Sequence, residues 1–273
     1  MPQPNPIYTQ KPFSLSHMRR VFAMSDPVKL AAMAALMPWD YYYKAHEFDG
    51  TLDATYWTAG VTGGGAPTAF AYNAQRNGAL RGATGATDDG LISLYSPNAQ
   101  FDAADNPMMW VRFISPAAVT GFAFECGFSD PKTSEILPAV TALTGAAVPT
   151  VGNGVTDLAA VVMDTDLTLT TGALVGDGTT GAAAGVSLVN RAGTAWTPTA
   201  SSIIDVIVGL SANKARCWIW DNLSPFGIMQ EVTNGPDSGV LLLPYVQFRT
   251  RNTTSKTIDL LKIVIVAEEG RTA

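Results

Sequence analysis

Ile203-Ile204-Asp205-Val206-Ile207-Val208-Gly209-Leu210-Ser211-Ala212-Asn213-Lys214-Ala215-Arg216-Cys217-Trp218-Ile219-Trp220-Asp221 holds two apolar runs rich in β-branched and aromatic residues. They are parted by Ser211, Ala212, Asn213 and Lys214, residues that suit a tight turn, so the stretch predicts a β-hairpin. Apolar side chains fill alternate and intervening positions of both runs, and both faces of the hairpin are expected to be covered. That cover has to come from a second sheet or from a neighbouring subunit. Trp218 and Trp220 alternate with Cys217 and Ile219, so one pair faces the core and the other a second layer or a neighbour.

Outward from this hairpin, short apolar runs alternate with clusters of Gly, Asn, Asp, Thr and Pro. Strands are expected at Tyr41 to Phe48, Ala69 to Tyr72, Ala79 to Arg81, Gly90 to Ser96, Pro107 to Ile114 and Gly121 to Phe128. Further strands are expected at Leu158 to Asp164, Gly185 to Val189, Ile203 to Leu210, Ala215 to Trp220, Val240 to Arg249 and Ile258 to Val266. Asn77-Gly78, Asp89-Gly90, Asp177-Gly178 and Asn234-Gly235 supply turn dipeptides near strand ends. The pattern implies a mainly β protein, a sandwich or barrel. Leu137 to Gly185 is rich in Gly, Ala and Thr, and long loops or flat edge strands are expected there.

The N-terminal residues differ. Pro2, Pro4, Pro6 and Pro12 favour an extended arm that either lies along another surface or stays disordered. Ser14 to Met24 has helical spacing, and a clearer helix follows, with Asp26 as N-cap, Pro27 at the first turn and Pro38 at its close. Leu30, Met33, Leu36 and Met37 make its apolar face, which packs either on its own domain or against another chain. The expected division is therefore an arm and helical attachment segment over 1–38 and a β-sandwich over 39–273.

At 273 residues the chain can bury a large core as one domain. Charged residues are 15% and hydrophobic ones 47%, which excludes a disordered chain and suggests extensive contact surface. The net charge of -6 and the absence of a basic run argue against a nucleic-acid partner. Met1 to Phe13 lacks the apolar core of a signal peptide, and no later run approaches membrane-spanning length; a soluble protein made in a cytoplasm is expected. Cys126 and Cys217 lie in strand-like stretches and read as buried thiols; a disulfide would need adjacent strands.

Several features in order carry a resemblance. They are Phe48-Asp49-Gly50-Thr51-Leu52-Asp53 with Trp57, the Arg112-Phe113 strand, Phe122-Ala123-Phe124-Glu125-Cys126-Gly127-Phe128-Ser129-Asp130, the hairpin, and the closing Leu243 to Phe248 and Ile258 to Ile263 pair. Over Tyr41 to Val266 this order resembles the concanavalin A-like jelly-roll of tailed-bacteriophage structural proteins. The resemblance implies two antiparallel sheets face to face and a role in head decoration, head fibre, tail or baseplate. It gives Arg112 and Phe124 to Asp130 a structural role, and it makes a trimer the natural oligomer.

Chemical motifs are sparse. His17 and His46 are too few and too far apart for a metal cluster, and Asp102 to Asn106 is the best calcium candidate, with turn formation as the plainer reading. Gly63-Gly64-Gly65 lacks the Lys-Ser/Thr of a phosphate loop and reads as a flexible loop. Glu125 is the one glutamate expected in a strand on the concave sheet, and a hydrolase would need a second carboxylate such as Glu47 or Asp205. No catalytic residue, cofactor or metal ligand is assigned.

The expected function is a non-enzymatic virion structural protein, a capsid decoration or cement protein whose partners are the major capsid protein and further copies of itself. Leu30, Met33, Leu36 and Met37 are the candidate assembly contacts. The alternative is a tail-fibre or baseplate sandwich binding a host-surface glycan, with Trp57 and Trp196 as stacking platforms, although aromatics at such positions are more often sandwich core or subunit interface. A polysaccharide-degrading enzyme is a third possibility.

Overall fold

The computed structural model describes residues 41–47, 52–73, 78–143, 149–165, 172–178, 182–190, 193–211, 213–223 and 227–268. The expected helices over 14–37 lie outside these residues, as do Leu30, Met33, Leu36 and Met37. Among the described residues the backbone is strand, loop and one short 3-10 turn, Ala103–Asp105.

Strands β1 (Tyr41–Glu47), β2 (Thr58–Thr62), β3 (Thr68–Tyr72), β4 (Leu80–Ala83), β5 (Leu91–Tyr95) and β6 (Phe101–Asp102) lead to β7 (Met108–Ile114). Then come β8 (Phe122–Ser129), β9 (Val140–Leu143), β10 (Pro149–Val151), β11 (Leu158–Asp164), β12 (Ala173–Asp177) and β13 (Ala184–Ser187). The last five are β14 (Ile203–Ser211), β15 (Lys214–Asp221), β16 (Ile228–Val232), β17 (Leu241–Thr250) and β18 (Thr257–Glu268). All twelve expected strands are present and six more join them: β2, β6, β9, β10, β12 and β16. These six are short, and several carry Gly or Pro, so their apolar signal is weak.

Two eight-stranded antiparallel sheets form the sandwich. The first runs β16-β15-β14-β7-β18-β4-β3, and β1 and β4 pair with successive parts of β18. The second runs β13-β12-β11-β8-β17-β5-β2, with β6 on the start of β17. A two-stranded β9–β10 hairpin makes a separate small sheet. The Gly- and Thr-rich stretch 137–185 thus supplies strands as well as loops, and β12 sits inside its sheet between β11 and β13.

The predicted hairpin is β14 and β15, with Ser211 opposite Lys214 and Asn213 in the left-handed region at φ 58. It lies where the sequence placed it, but its two strands are not equally covered. β14 is buried at seven successive positions, whereas β15 alternates, with Trp220 38% exposed. Cys217 and Ile219 face the inter-sheet core, and Trp218 and Trp220 face outward.

The core between the sheets is built from alternate residues of both. Phe113 of β7 meets Phe124 of β8 and Phe248 of β17 at ring-centroid distances of 5.4 and 5.0 Å. Such aromatic pairs add about 0.5–1.5 kcal/mol each beyond the area they bury. Cys126 and Cys217 enter this core as free, fully buried cysteines. Burial pushes the Cys217 thiol up to about 12 and the Cys126 thiol upward as well, so neither presents a reactive thiolate.

The triple-glycine stretch is packed rather than flexible. Gly63 and Gly65 have φ of 95 and 75, and a Cβ on Gly65 would stand 2.4 Å from the Ala86 nitrogen, which donates to the Gly65 carbonyl.

Candidate functional site

The outer face of the second sheet is sealed. The connection from β8 to β11 crosses it, and Val140, Leu143 and Val155 pack on Leu158, Ala160, Val162, Val175, Leu243 and Tyr245. A Cβ on Gly60 of β2 would lie 2.3 Å from Ile136, so the strap reaches the far strands of the sheet. Beneath it Glu125 is 2% exposed. Its Oε1 accepts from the Ala139 N–H at 2.9 Å and from the Tyr245 hydroxyl at 2.5 Å, and its Oε2 accepts from the Val140 N–H at 3.3 Å. The Lys132 ammonium, also buried, sits 4.1 Å over the Tyr245 ring.

Burial governs the titration here. It pushes the Tyr245 hydroxyl well above its usual value, with the adjoining Glu125 adding to the effect, and it lowers the Lys132 ammonium. Gln247, opposite Glu125 in the register and 1% exposed, has neither amide atom hydrogen-bonded among the described residues.

The paired-carboxylate arrangement is corrected by topology. Asp205 lies on the outer face of the first sheet, across the sandwich from Glu125, and β1, which carries Glu47, belongs to that first sheet as well. Asp205 is a structural anion. It accepts from Trp110 Nε1 at 2.6 Å and takes both Nε and Nη2 of Arg112 at 2.8 and 2.9 Å. This bidentate pair gives Arg112 the structural role that the resemblance implied.

Trp57 and Trp196 cannot stack on a sugar in this arrangement, because they are 2% and 4% exposed and belong to the inter-sheet core. Trp196 packs edge-on against Phe124 at 6.0 Å. Large aromatic side chains on a half-apolar strand or loop are drawn inward by the area they bury. Asp102 caps the 3-10 turn: Oδ1 accepts from the Ala104 N–H and Oδ2 from the Gly239 N–H, both at 2.8 Å. Among the described residues no group of three His, Cys, Asp or Glu side chains converges as a metal site would require.

The outer face of the first sheet is buried at its centre, where Met108, Trp110, Ile207, Val264 and Val266 are 2–6% exposed, and opens toward its margins. On its β15–β16 side Trp218 stands opposite Met229, which is 55% exposed, and Trp220 follows two residues on. Among the described residues β16 is the edge strand there and pairs with β15 alone. Farther along the same face, near the ends of β4, β7, β14 and β18, is a groove of about 440 Å3. Arg81 and Asp259 form its polar floor, joined by Nε–Oδ1 and Nη2–Oδ2 bonds of 2.7 and 2.8 Å. Asn222, Thr257, Ser201, Ile203 and Leu223 contribute to its walls. Sequence reasoning missed this groove because Arg81 and Asp259 are 178 residues apart and meet only through the pairing of β4 with β18.

No family model and no curated protein matches the sequence. The fold does have solved counterparts, and they include lectins with the concanavalin A-like sandwich. A protein of unknown function from Shewanella oneidensis MR-1 superposes with a TM-score of 0.55 at 11% identity, over 97% of this chain and 98% of that one. Lectin II from Ulex europaeus gives 0.53 at 12% identity, over 83% and 98% of the two chains. The exoplasmic/lumenal domain of VIP36, in a form bound to Ca2+ and Man3GlcNAc, gives 0.52 at 8% identity, over 84% and 90%. At such identities the likeness is one of fold.

Proposed function

We propose that the chain is a non-enzymatic structural protein of a tailed-bacteriophage virion, a decoration or cement protein on the capsid exterior that works by surface contact. The observation that carries this reading is the strip of Trp218, Trp220 and Met229 beside β16, an edge strand among the described residues. A sheet edge with open backbone and large apolar side chains is the kind of surface that assembly buries. Copies of the sandwich meet through this strip in a homo-oligomer, a trimer by analogy. The N-terminal segment with Leu30, Met33, Leu36 and Met37 attaches to the major capsid protein. Burial between subunits then stabilises a shell without chemistry. The engagement of both Glu125 oxygens under the strap supports the non-catalytic part of the reading.

Electron microscopy of the particle tests this placement. Density for the sandwich on the outer shell is expected. Density at the tail tip would move the protein to the fibre or baseplate class, and its absence from purified virions would remove the virion role. The glycan-binding alternative is favoured by the lectin-type fold, and it requires a site other than Trp57 and Trp196.

A further inference from the structure

We infer that the Arg81–Asp259 groove on the outer face of the first sheet is a binding site for a neutral oligosaccharide, one or two hexose units long. Its volume of about 440 Å3 lies within the roughly 300–1,000 Å3 of small-molecule sites. The lining fixes the ligand class. Arg81 spends Nε and one Nη2 hydrogen on Asp259, and its half-exposed guanidinium retains further donors. Asp259, 5% exposed, cancels that charge within the floor, so the groove presents fixed dipoles without a net charge.

The Asn222 amide and the hydroxyls of Thr257 and Ser201 add donors and acceptors together, the mixture that neighbouring sugar hydroxyls need. Ile203 and Leu223, 37% and 61% exposed, give apolar walls for the C–H faces of a pyranose ring. Trp220 is on the same face, diagonal to Ile203 in the register, and offers a platform for a second ring. Ser201 is held at φ 55 with its N–H on the Pro116 carbonyl at 3.1 Å, a costly backbone for a residue other than glycine. An anionic sugar is disfavoured, because the floor carries a carboxylate for its one cation.

This inference does not depend on where the protein sits on a particle. The test displays the full-length chain, biotinylated and clustered on streptavidin so that weak sites add. It is applied to an array of neutral gluco-, manno- and galacto-configured oligosaccharides beside sialylated and uronic-acid-bearing ones. Signal on neutral glycans is expected. Asn222→Ala and Thr257→Ala alter exposed side chains and should each weaken it about tenfold, the effect of one lost hydrogen bond. Leu223→Asp should abolish it. Signal confined to acidic glycans, signal that survives all three changes, or no signal at all would overturn the inference. Capsid association combined with a silent array would leave the decoration reading standing and remove this site alone.

Discussion

The outer face of the second sheet and the β15–β16 corner of the first differ in cover, although Met108, Trp110, Ile207, Val264 and Val266 at the centre of the first sheet's outer face are buried too. On the second sheet a strap from β8 to β11 covers the face, and the carboxylate it encloses is fully hydrogen-bonded. On the first sheet no described segment crosses the β15–β16 corner, and tryptophan, methionine and an ion-pair-floored groove meet solvent. The polar groups teach the same lesson in two ways. Buried under a strap, a glutamate becomes part of the scaffold; left in an open groove, an Arg–Asp pair can meet a ligand.

The largest expected effect lies between the faces. Ile219→Asp puts a charge into the inter-sheet core, where Ile219 is 2% exposed. A loss on the order of 4 kcal/mol or more is expected. Circular dichroism and gel filtration should show an unfolded or aggregated chain; a folded, soluble variant would mean that the core assignment is wrong.

Next is the sealed face. Glu125→Ala removes the acceptor for two backbone N–H groups and the Tyr245 hydroxyl and leaves Lys132 buried without that charge. A loss of about 3 kcal/mol in denaturant unfolding is expected. A near-neutral result would show that the strap does not depend on this anchor. Gln247→Leu should act in the opposite sense, raising stability by about 1 kcal/mol, because two buried amide atoms with no partner among the described residues disappear.

Asp177, at the end of the sealed sheet, is raised to about 6, chiefly by burial and also by the nearby Asp157 and Asp130. Folding therefore favours its protonated form. Its contribution is intact below the unfolded value of about 3.9 and is lost as pH climbs through the folded value of about 6. The melting temperature of the parent protein should fall from pH 4 to pH 7 more steeply than that of Asp177→Asn. Parallel profiles would remove Asp177 as the cause.

The smallest effect on stability is expected at the open corner. Trp220→Ser and Met229→Ser should shift unfolding by no more than about 0.5 kcal/mol each, as exposed positions do. Together they should lower the oligomeric mass measured by light scattering if the strip is a subunit contact. An unchanged mass would detach the strip from assembly.

Much of this comparison was legible in the sequence, and the limits have physical causes. The hairpin and the inward turn of one of the pairs Cys217/Ile219 and Trp218/Trp220 follow from side-chain alternation, a local property, whereas the choice of sandwich over barrel came from the resemblance. The short strands β2, β6, β9, β10, β12 and β16 escaped because small residues and glycines give little periodic signal. Trp57 and Trp196 were platforms only under the glycan alternative and core or interface otherwise, and the structure puts them in the core; an aromatic residue in the sequence does not say which layer it will meet.

The sequence by itself determined the mainly β class and the central hairpin, since these depend on composition and on short-range periodicity; it left sandwich and barrel both open, and the two-sheet arrangement came from the resemblance. Only the tertiary structure decided which tryptophans are buried, that Glu125 and Asp205 lie on opposite sides of the sandwich, and that Arg81 finds Asp259. Those outcomes rest on which strands become neighbours, and that pairing is set by packing across the whole chain rather than by any one segment.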